Sequence, residues 1–146
     1  MGFNWRYLVA LAGLLAVALM AFTRLQSEPS SVSAPNFALS KPSENGAYLV
    51  AIEPEAPPVK VGELHSWVVT VKMPDGKPLD DASIAVDGGM PAHGHGLPTS
   101  PRVTAQLGEG RYRVEGVKFN MGGAWEFRFA VSAAAGDDEA VFNLKL

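Results

Sequence analysis

Large apolar residues recur at every second position through much of the last hundred residues of this chain. Four of them alternate with charged or small residues in the clearest stretch: Trp125, Phe127, Phe129 and Val131. Six further stretches repeat the pattern, at 48–52, 67–73, 84–86, 102–103, 112–114 and 142–146. Period-two alternation puts one set of side chains on one face of an extended strand, whereas an amphipathic helix repeats every 3.6 residues. The pattern therefore predicts an all-β domain over residues 47–146.

The number and spacing of these strands indicate how they pack. Turn-like sequences rich in Gly, Pro and Asp separate several of them, at 74–76, 108–110, 122–123 and 136–138. About seven short strands in one domain favour an antiparallel β-sandwich, in which two sheets share one core. Gly110-Arg111-Tyr112 before a strand resembles the tyrosine corner of immunoglobulin-like folds, so we predict an immunoglobulin-like sandwich. A small β-barrel would give nearly the same pattern and stays open as an alternative.

An uncharged apolar run near the N terminus predicts a membrane anchor. It extends from Tyr7 to Thr23, between Arg6 and Arg24. A helix of this length spans roughly 26 Å, at the short end for a membrane helix. A cleaved signal peptide is the rival interpretation, but small residues are poorly placed for cleavage near the end of the run. We therefore expect one uncleaved transmembrane helix in residues 1–23, in a bacterial inner membrane, with the domain on the periplasmic or extracytoplasmic side.

The segment between the apolar run and the strands is rich in Ser and Pro. Residues 24–46 contain few large apolar groups and many residues of these two types, among them Ser27, Pro29, Ser30, Ser31, Ser33, Pro35, Pro42 and Ser43. Such a composition is typical of an extended tether. The predicted organisation is an anchor at 1–23, a tether at 24–46 and a β-sandwich at 47–146.

Composition excludes several classes of function. The net charge is −3, and Lys and Arg are scattered singly, so nucleic acid is not an expected partner. The absence of Cys removes disulfides, thiolate metal sites and cysteine nucleophiles together. No Ser has the sequence context of a nucleophile elbow, and no partner acid is evident for His93. We therefore expect a protein that is not an enzyme.

Two glycine-rich stretches hold the residues with the most distinctive chemistry. Residues 88–97 read Gly-Gly-Met-Pro-Ala-His-Gly-His-Gly-Leu, and residues 120–123 read Asn-Met-Gly-Gly. In an extended segment the two histidines would point to the same side, and loops from neighbouring strands can gather at one end of a sandwich. Imidazole and thioether together suit copper better than magnesium or calcium. These residues therefore predict a copper site with four ligands: Met90, His93, His95 and Met121.

A simpler interpretation of the same residues stays open. Paired histidines in a loop rich in Gly and Pro can hydrogen-bond the loop to itself or face solvent. Methionine commonly fills irregular apolar gaps, and Met121 follows Phe119 closely enough to belong to the core. The third histidine, His65, lies beside Trp67 and is expected to be a surface or hydrogen-bonded residue.

Two runs of sequence resemble a known family. The first contains Asp75-Gly76-Lys77-Pro78 and Met90-Pro91-Ala92-His93-Gly94-His95-Gly96, and the second contains Gly110-Arg111-Tyr112 and Met121-Gly122-Gly123-Ala124-Trp125. Over about residues 60–132 the chain resembles the YtkA-like domains, which are often grouped with FixH-like proteins. The resemblance implies a membrane-anchored, exported, immunoglobulin-like sandwich. FixH-like proteins are associated with the assembly of copper-containing terminal oxidases.

Two functional hypotheses follow. The first is a membrane-anchored accessory protein that binds or delivers copper, with a membrane complex such as a copper oxidase as its partner. The second is a metal-free interaction or assembly module of a membrane complex, in which the glycine-rich loops form a rigid contact surface. Loss of copper uptake on removal of the two histidines would favour the first hypothesis. A partner that stays bound after chelation and after the same substitutions would favour the second.

Overall fold

The computed structural model describes residues 35–146, and that part of the chain contains nine β-strands. They are β1 (Ser40–Pro42), β2 (Leu49–Pro54), β3 (Leu64–Lys72), β4 (Ser83–Met90), β5 (His95–Gly96), β6 (Arg102–Gly108), β7 (Arg111–Lys118), β8 (Ala124–Ala133) and β9 (Gly136–Lys145). Within the described residues no helix is long and apolar enough to cross a membrane. The helix predicted in residues 1–23 lies outside them.

The strands form two sheets in which all neighbours are antiparallel. One sheet has five strands in the order β1-β2-β3-β7-β6, and the other has four in the order β5-β4-β8-β9. Two separate sheets confirm the predicted sandwich and not the barrel. Seven strands are those that the alternation predicts. The two others, β1 in the predicted tether and β5 in the glycine-rich stretch, are only three and two residues long.

The sheets enclose a core of aromatic and β-branched side chains. The apolar residues of β8 are buried at every second position, as the alternation predicts: Trp125, Phe127, Phe129 and Val131. Six aromatic rings pack edge to face with centroids 4.6–6.5 Å apart: Trp67, Phe119, Trp125, Phe127, Phe129 and Phe142. Each such pair adds about 0.5–1.5 kcal/mol beyond the area it buries. This core holds β4 and β8, which carry or flank the glycine-rich stretches, in a fixed register.

A close backbone approach connects the turn after β6 to the end of β3. Gly110 has a φ of 72°, and a Cβ at this position would lie 2.2 Å from the carbonyl oxygen of Val71. The Tyr112 hydroxyl donates to the carbonyl of Leu79 at 2.6 Å and accepts from the N–H of Ala82 at 3.0 Å. Leu79 is 33 residues upstream, so this is not the short-range bond of a tyrosine corner. Tyr112 instead fixes the connection between β3 and β4.

Gly110→Ala should destabilise the domain far more than Gly108→Ala, although the two glycines flank Glu109 and have similar φ angles of 72° and 77°. A left-handed backbone costs an alanine roughly 1–2 kcal/mol at either position. Only at position 110 must the methyl also displace a strand backbone, because nothing lies within 4 Å of a Cβ at position 108. The clash adds about 1–3 kcal/mol. Equilibrium denaturation of both variants checks the difference, and equal losses would show that the contact with Val71 is unimportant.

The loop between β1 and β2 is fixed to β9 through a carboxylate. Asp138 is 7% exposed and accepts hydrogen bonds from the backbone and side-chain nitrogens of Asn45 at 2.9–3.1 Å and from the N–H of Ala47 at 3.1 Å. Burial alone raises the pKa of Asp138, but the hydrogen bonds that its carboxylate accepts from the amides of Asn45, Glu139 and Ala47 outweigh burial. They hold the pKa well below its usual range.

Asp138→Asn should reduce the stability of the domain at neutral pH and weaken its loss of stability in acid. Because the folded-state pKa is depressed, the carboxylate stabilises the fold above its unfolded-state pKa of about 3.9, and this contribution disappears as the pH falls towards the folded-state value. Melting temperatures at about pH 7 and pH 3 measure the effect. Asp137→Asn, at the exposed neighbouring position, is the matched control. An unchanged acid dependence in Asp138→Asn would contradict this role.

Candidate metal site

The first glycine-rich stretch forms a tight hairpin at one end of the sandwich. β4 ends at Met90, a single 3-10 turn covers Pro91–His93, and β5 returns antiparallel with His95 opposite Met90. Proline suits the first position of such a turn because its φ is already helical, and Gly94 then takes a left-handed φ of 64°. The extended conformation predicted for this segment is therefore wrong at His93. The chain turns between the two histidines instead of running straight.

The hairpin nevertheless places the two imidazoles side by side. The rings of His93 and His95 lie 18° from parallel with centroids 6.3 Å apart, and both side chains are exposed. Two imidazoles that bind one ion through bonds of about 2.0–2.1 Å have ring centroids on the order of 5–6 Å apart. The observed separation is close to this range, and both exposed side chains are free to rotate.

Glycines make the close packing of this hairpin possible. A Cβ at Gly89 would lie 2.6 Å from the carbonyl oxygen of His95, and a Cβ at Gly88 would lie 2.8 Å from that of Glu126. Neither strand backbone can move away without breaking the ladder between β4 and its neighbours. The glycine-rich composition is thus needed to bring β5 against β4, and it positions His95.

Met90 connects the hairpin to the second glycine-rich stretch. Directly opposed residues of an antiparallel pair carry their side chains on the same face, so Met90 and His95 share a face of the hairpin. Met90 is only 2% exposed, and its methyl carbon would lie 2.7 Å from a Cβ at Gly123. Met90 is an even number of residues from Ile84 and Val86 along β4 and so lies on the same face, which indicates this burial from the sequence. The thioether therefore lies beneath the hairpin, against the loop that contains Met121.

Met121 is half-buried and packs against the core. Its carbonyl oxygen accepts a hydrogen bond from the indole nitrogen of Trp125 at 3.0 Å, which fixes the loop to the start of β8. The two histidines thus lie together on the surface. Met90, at the end of β4, packs against Gly123 in the loop that contains Met121, so the two methionines lie on the inner side of the same end.

A cleft of about 270 Å³ adjoins the hairpin. The hairpin glycines form one side of it, together with His95, and three charged side chains line the rest: Asp87, Glu126 and Arg128. Glu126 and Arg128 form an ion pair that raises the pKa of Arg128. Sequence reasoning missed these charges. They depend on the pairing of β4 with β8, in which Gly89, a residue without a side chain, lies opposite Glu126.

The other His, Asp and Glu residues of the described part of the chain offer no second candidate metal site. Within residues 35–146 no three His, Asp or Glu side chains are grouped closely enough to hold a metal ion. His65 is hydrogen-bonded, as predicted, since its Nε2 lies 3.1 Å from the nitrogen and 2.9 Å from the oxygen of Lys60.

These features define a class of protein: a two-sheet antiparallel β-sandwich with a histidine- and methionine-containing hairpin at one end. The family model of the YtkA-like domains matches residues 41–130, and the chain belongs to the YtkA-like family. This confirms the resemblance to YtkA-like domains. Neither the curated proteins nor the solved structures include a significant match to the chain.

Proposed function

We propose that this chain is a non-enzymatic accessory protein that binds copper and delivers it to a membrane complex such as a copper oxidase. In this proposal an uncleaved helix in residues 1–23 anchors the chain in a bacterial inner membrane. An immunoglobulin-like sandwich follows on the periplasmic or extracytoplasmic side. The anchor and its orientation rest on the apolar run and its flanking arginines. Assembly of an oxidase rests on the resemblance to FixH-like proteins.

The observation that carries the copper proposal is the position of the histidines above the buried Met90 at the hairpin. Two exposed imidazoles lie side by side, and the thioether of Met90 shares their end of the sandwich beneath them. The types of donor fit copper, because thioethers favour the reduced ion and imidazole accepts either oxidation state. Met90, His93, His95 and Met121 would hold the ion. Zinc would use the histidines and leave the methionines without a role.

Delivery, in contrast to storage, is supported by the exposure of the histidines. An ion held by two surface imidazoles can be reached by ligands of a partner while the thioethers still hold it. Transfer would then proceed by stepwise exchange of ligands, with His93 and His95 leaving first. The fixed pairing of β4 with β8 would hold the hairpin in place, so that the histidines stay accessible to the partner during transfer.

Titration of the full-length chain, purified in detergent, with Cu(I) against a chromogenic chelator tests this proposal. We expect one tightly bound Cu(I) per chain. Met90→Leu and Met121→Leu conserve volume, so each should leave the fold intact at a cost below about 1.5 kcal/mol. Each should weaken Cu(I) binding by about tenfold or more, a loss of roughly 1.4 kcal/mol. Absence of Cu(I) binding in the folded wild-type chain would refute the copper proposal.

The metal-free interaction module remains the second candidate because apolar side chains are exposed on the domain. Val61 lies just before β3 and is 43% exposed, and Leu64, the first residue of β3, is 66% exposed. A membrane partner that co-purifies equally well after chelation and after substitution of both histidines would favour this candidate.

A further inference from the structure

The exposed histidine pair offers two imidazole ligands, half of the number that a divalent ion takes in a closed site. Ions such as Zn²⁺ in closed protein sites take four ligands, and the hairpin supplies two. In the described part of the chain no carboxylate or third histidine joins them. Met90 lies inward and is a soft ligand, which a divalent borderline ion uses poorly. Such an ion on His93 and His95 therefore has coordination positions directed away from the domain.

The shape of the hairpin allows a second protein surface to approach those positions. Both imidazoles are exposed on the turn, and nothing lies within 4 Å of a Cβ at Gly94, the residue between them. Gly94 and Gly96 add no side chain that would keep another backbone away. Of the three charged side chains in the adjoining cleft, Glu126 and Arg128 form an ion pair, and Asp87 leaves one further carboxylate there.

We propose that one divalent ion, Cu²⁺ or Zn²⁺, joins two copies of this chain by binding His93 and His95 of each copy. A twofold axis through the ion makes the contact isologous, and four imidazoles complete a four-coordinate site. The dimer rests on the histidine half of the proposed copper site. The dimer requires neither methionine. Conversely, Cu(I) binding by the thioethers of one chain does not require the dimer.

Sedimentation velocity of the full-length chain in detergent, titrated with ZnCl₂ or CuCl₂, tests the proposal. The expected result is a monomer without metal and a dimer that is complete at half an equivalent of ion and reversed by EDTA. His93→Ala and His95→Ala should each abolish the dimer. His65→Ala, which removes the histidine outside the hairpin, should not. In the Cu²⁺ dimer, electron paramagnetic resonance should show hyperfine coupling to four nitrogens.

The methionine variants separate this inference from the proposed function. Met90→Leu combined with Met121→Leu should leave the ion-induced dimer intact while Cu(I) binding falls. A chain that stays monomeric at every ratio of ion to protein overturns the dimer, as does a dimer that persists without both histidines. Cu(I) binding with no dimer would leave the proposed function standing, and a dimer with no Cu(I) binding would leave the inference standing alone.

Discussion

Phe127→Ala is expected to lower the free energy of unfolding by about 3–5 kcal/mol. Phe127 is fully buried at the centre of the aromatic cluster, with Phe129, Trp67 and Phe119 at centroid distances of 4.6, 5.4 and 5.8 Å. Truncation removes three edge-to-face contacts and leaves a cavity between two sheets that cannot collapse without breaking their ladders. Since whole domains are stable by only about 5–15 kcal/mol, this one change should consume a large share of the total.

Denaturant unfolding followed by tryptophan fluorescence measures this loss. Phe37→Ala is the matched control, because Phe37 is 51% exposed and its truncation should change stability by less than about 0.5 kcal/mol. Phe127→Leu should give an intermediate loss if the alanine variant does not fold. Similar stabilities for Phe127→Ala and Phe37→Ala would contradict the assignment of this cluster as the core of the sandwich.

Replacing both His93 and His95 by alanine is expected to abolish copper uptake by the chain. Loss of a group outside the coordination sphere of a metal already costs roughly 10–100-fold in affinity, and these two residues are proposed to supply both imidazole ligands. Both side chains are exposed on the hairpin, so the fold should be retained. Equilibrium dialysis with copper, followed by metal analysis, measures the uptake.

His65→Ala is the control for the double histidine variant. His65 is hydrogen-bonded to the backbone of Lys60 and lies outside the hairpin. It should bind copper as the wild type does. Unchanged copper uptake in the double variant would remove His93 and His95 from the site.

Most of the sandwich is predictable from the sequence because burial of one face imposes a period of two. The aromatic stripe of β8 and the apolar stripe of β3 place their residues in the core as the alternation requires. The same parity extends through β4 to Met90. The short strand β1 has no such signal, because its three residues are held by backbone pairing with β2 and not by an apolar face.

The local shape of the candidate site is less predictable. The sequence shows His93 and His95 two positions apart, which in a strand would align them. The structure reaches a similar juxtaposition through a 3-10 turn and a left-handed Gly94. The packing of Met90 against Gly123 joins residues far apart in the chain, and it depends on sheet register, which local pattern does not determine. The identities of the candidate ligands could be inferred from sequence, but not their division into an outer and an inner pair.

X-ray absorption at the copper edge most directly tests whether imidazole and thioether ligands bind the same ion. We expect the Cu(I)-loaded full-length chain to show both nitrogen and sulfur neighbours of copper. The variant with leucine at positions 90 and 121 should lose the sulfur contribution and keep the nitrogen contribution. A wild-type spectrum with no sulfur neighbour, or one that the two leucines leave unchanged, would contradict a copper site formed by Met90, His93, His95 and Met121.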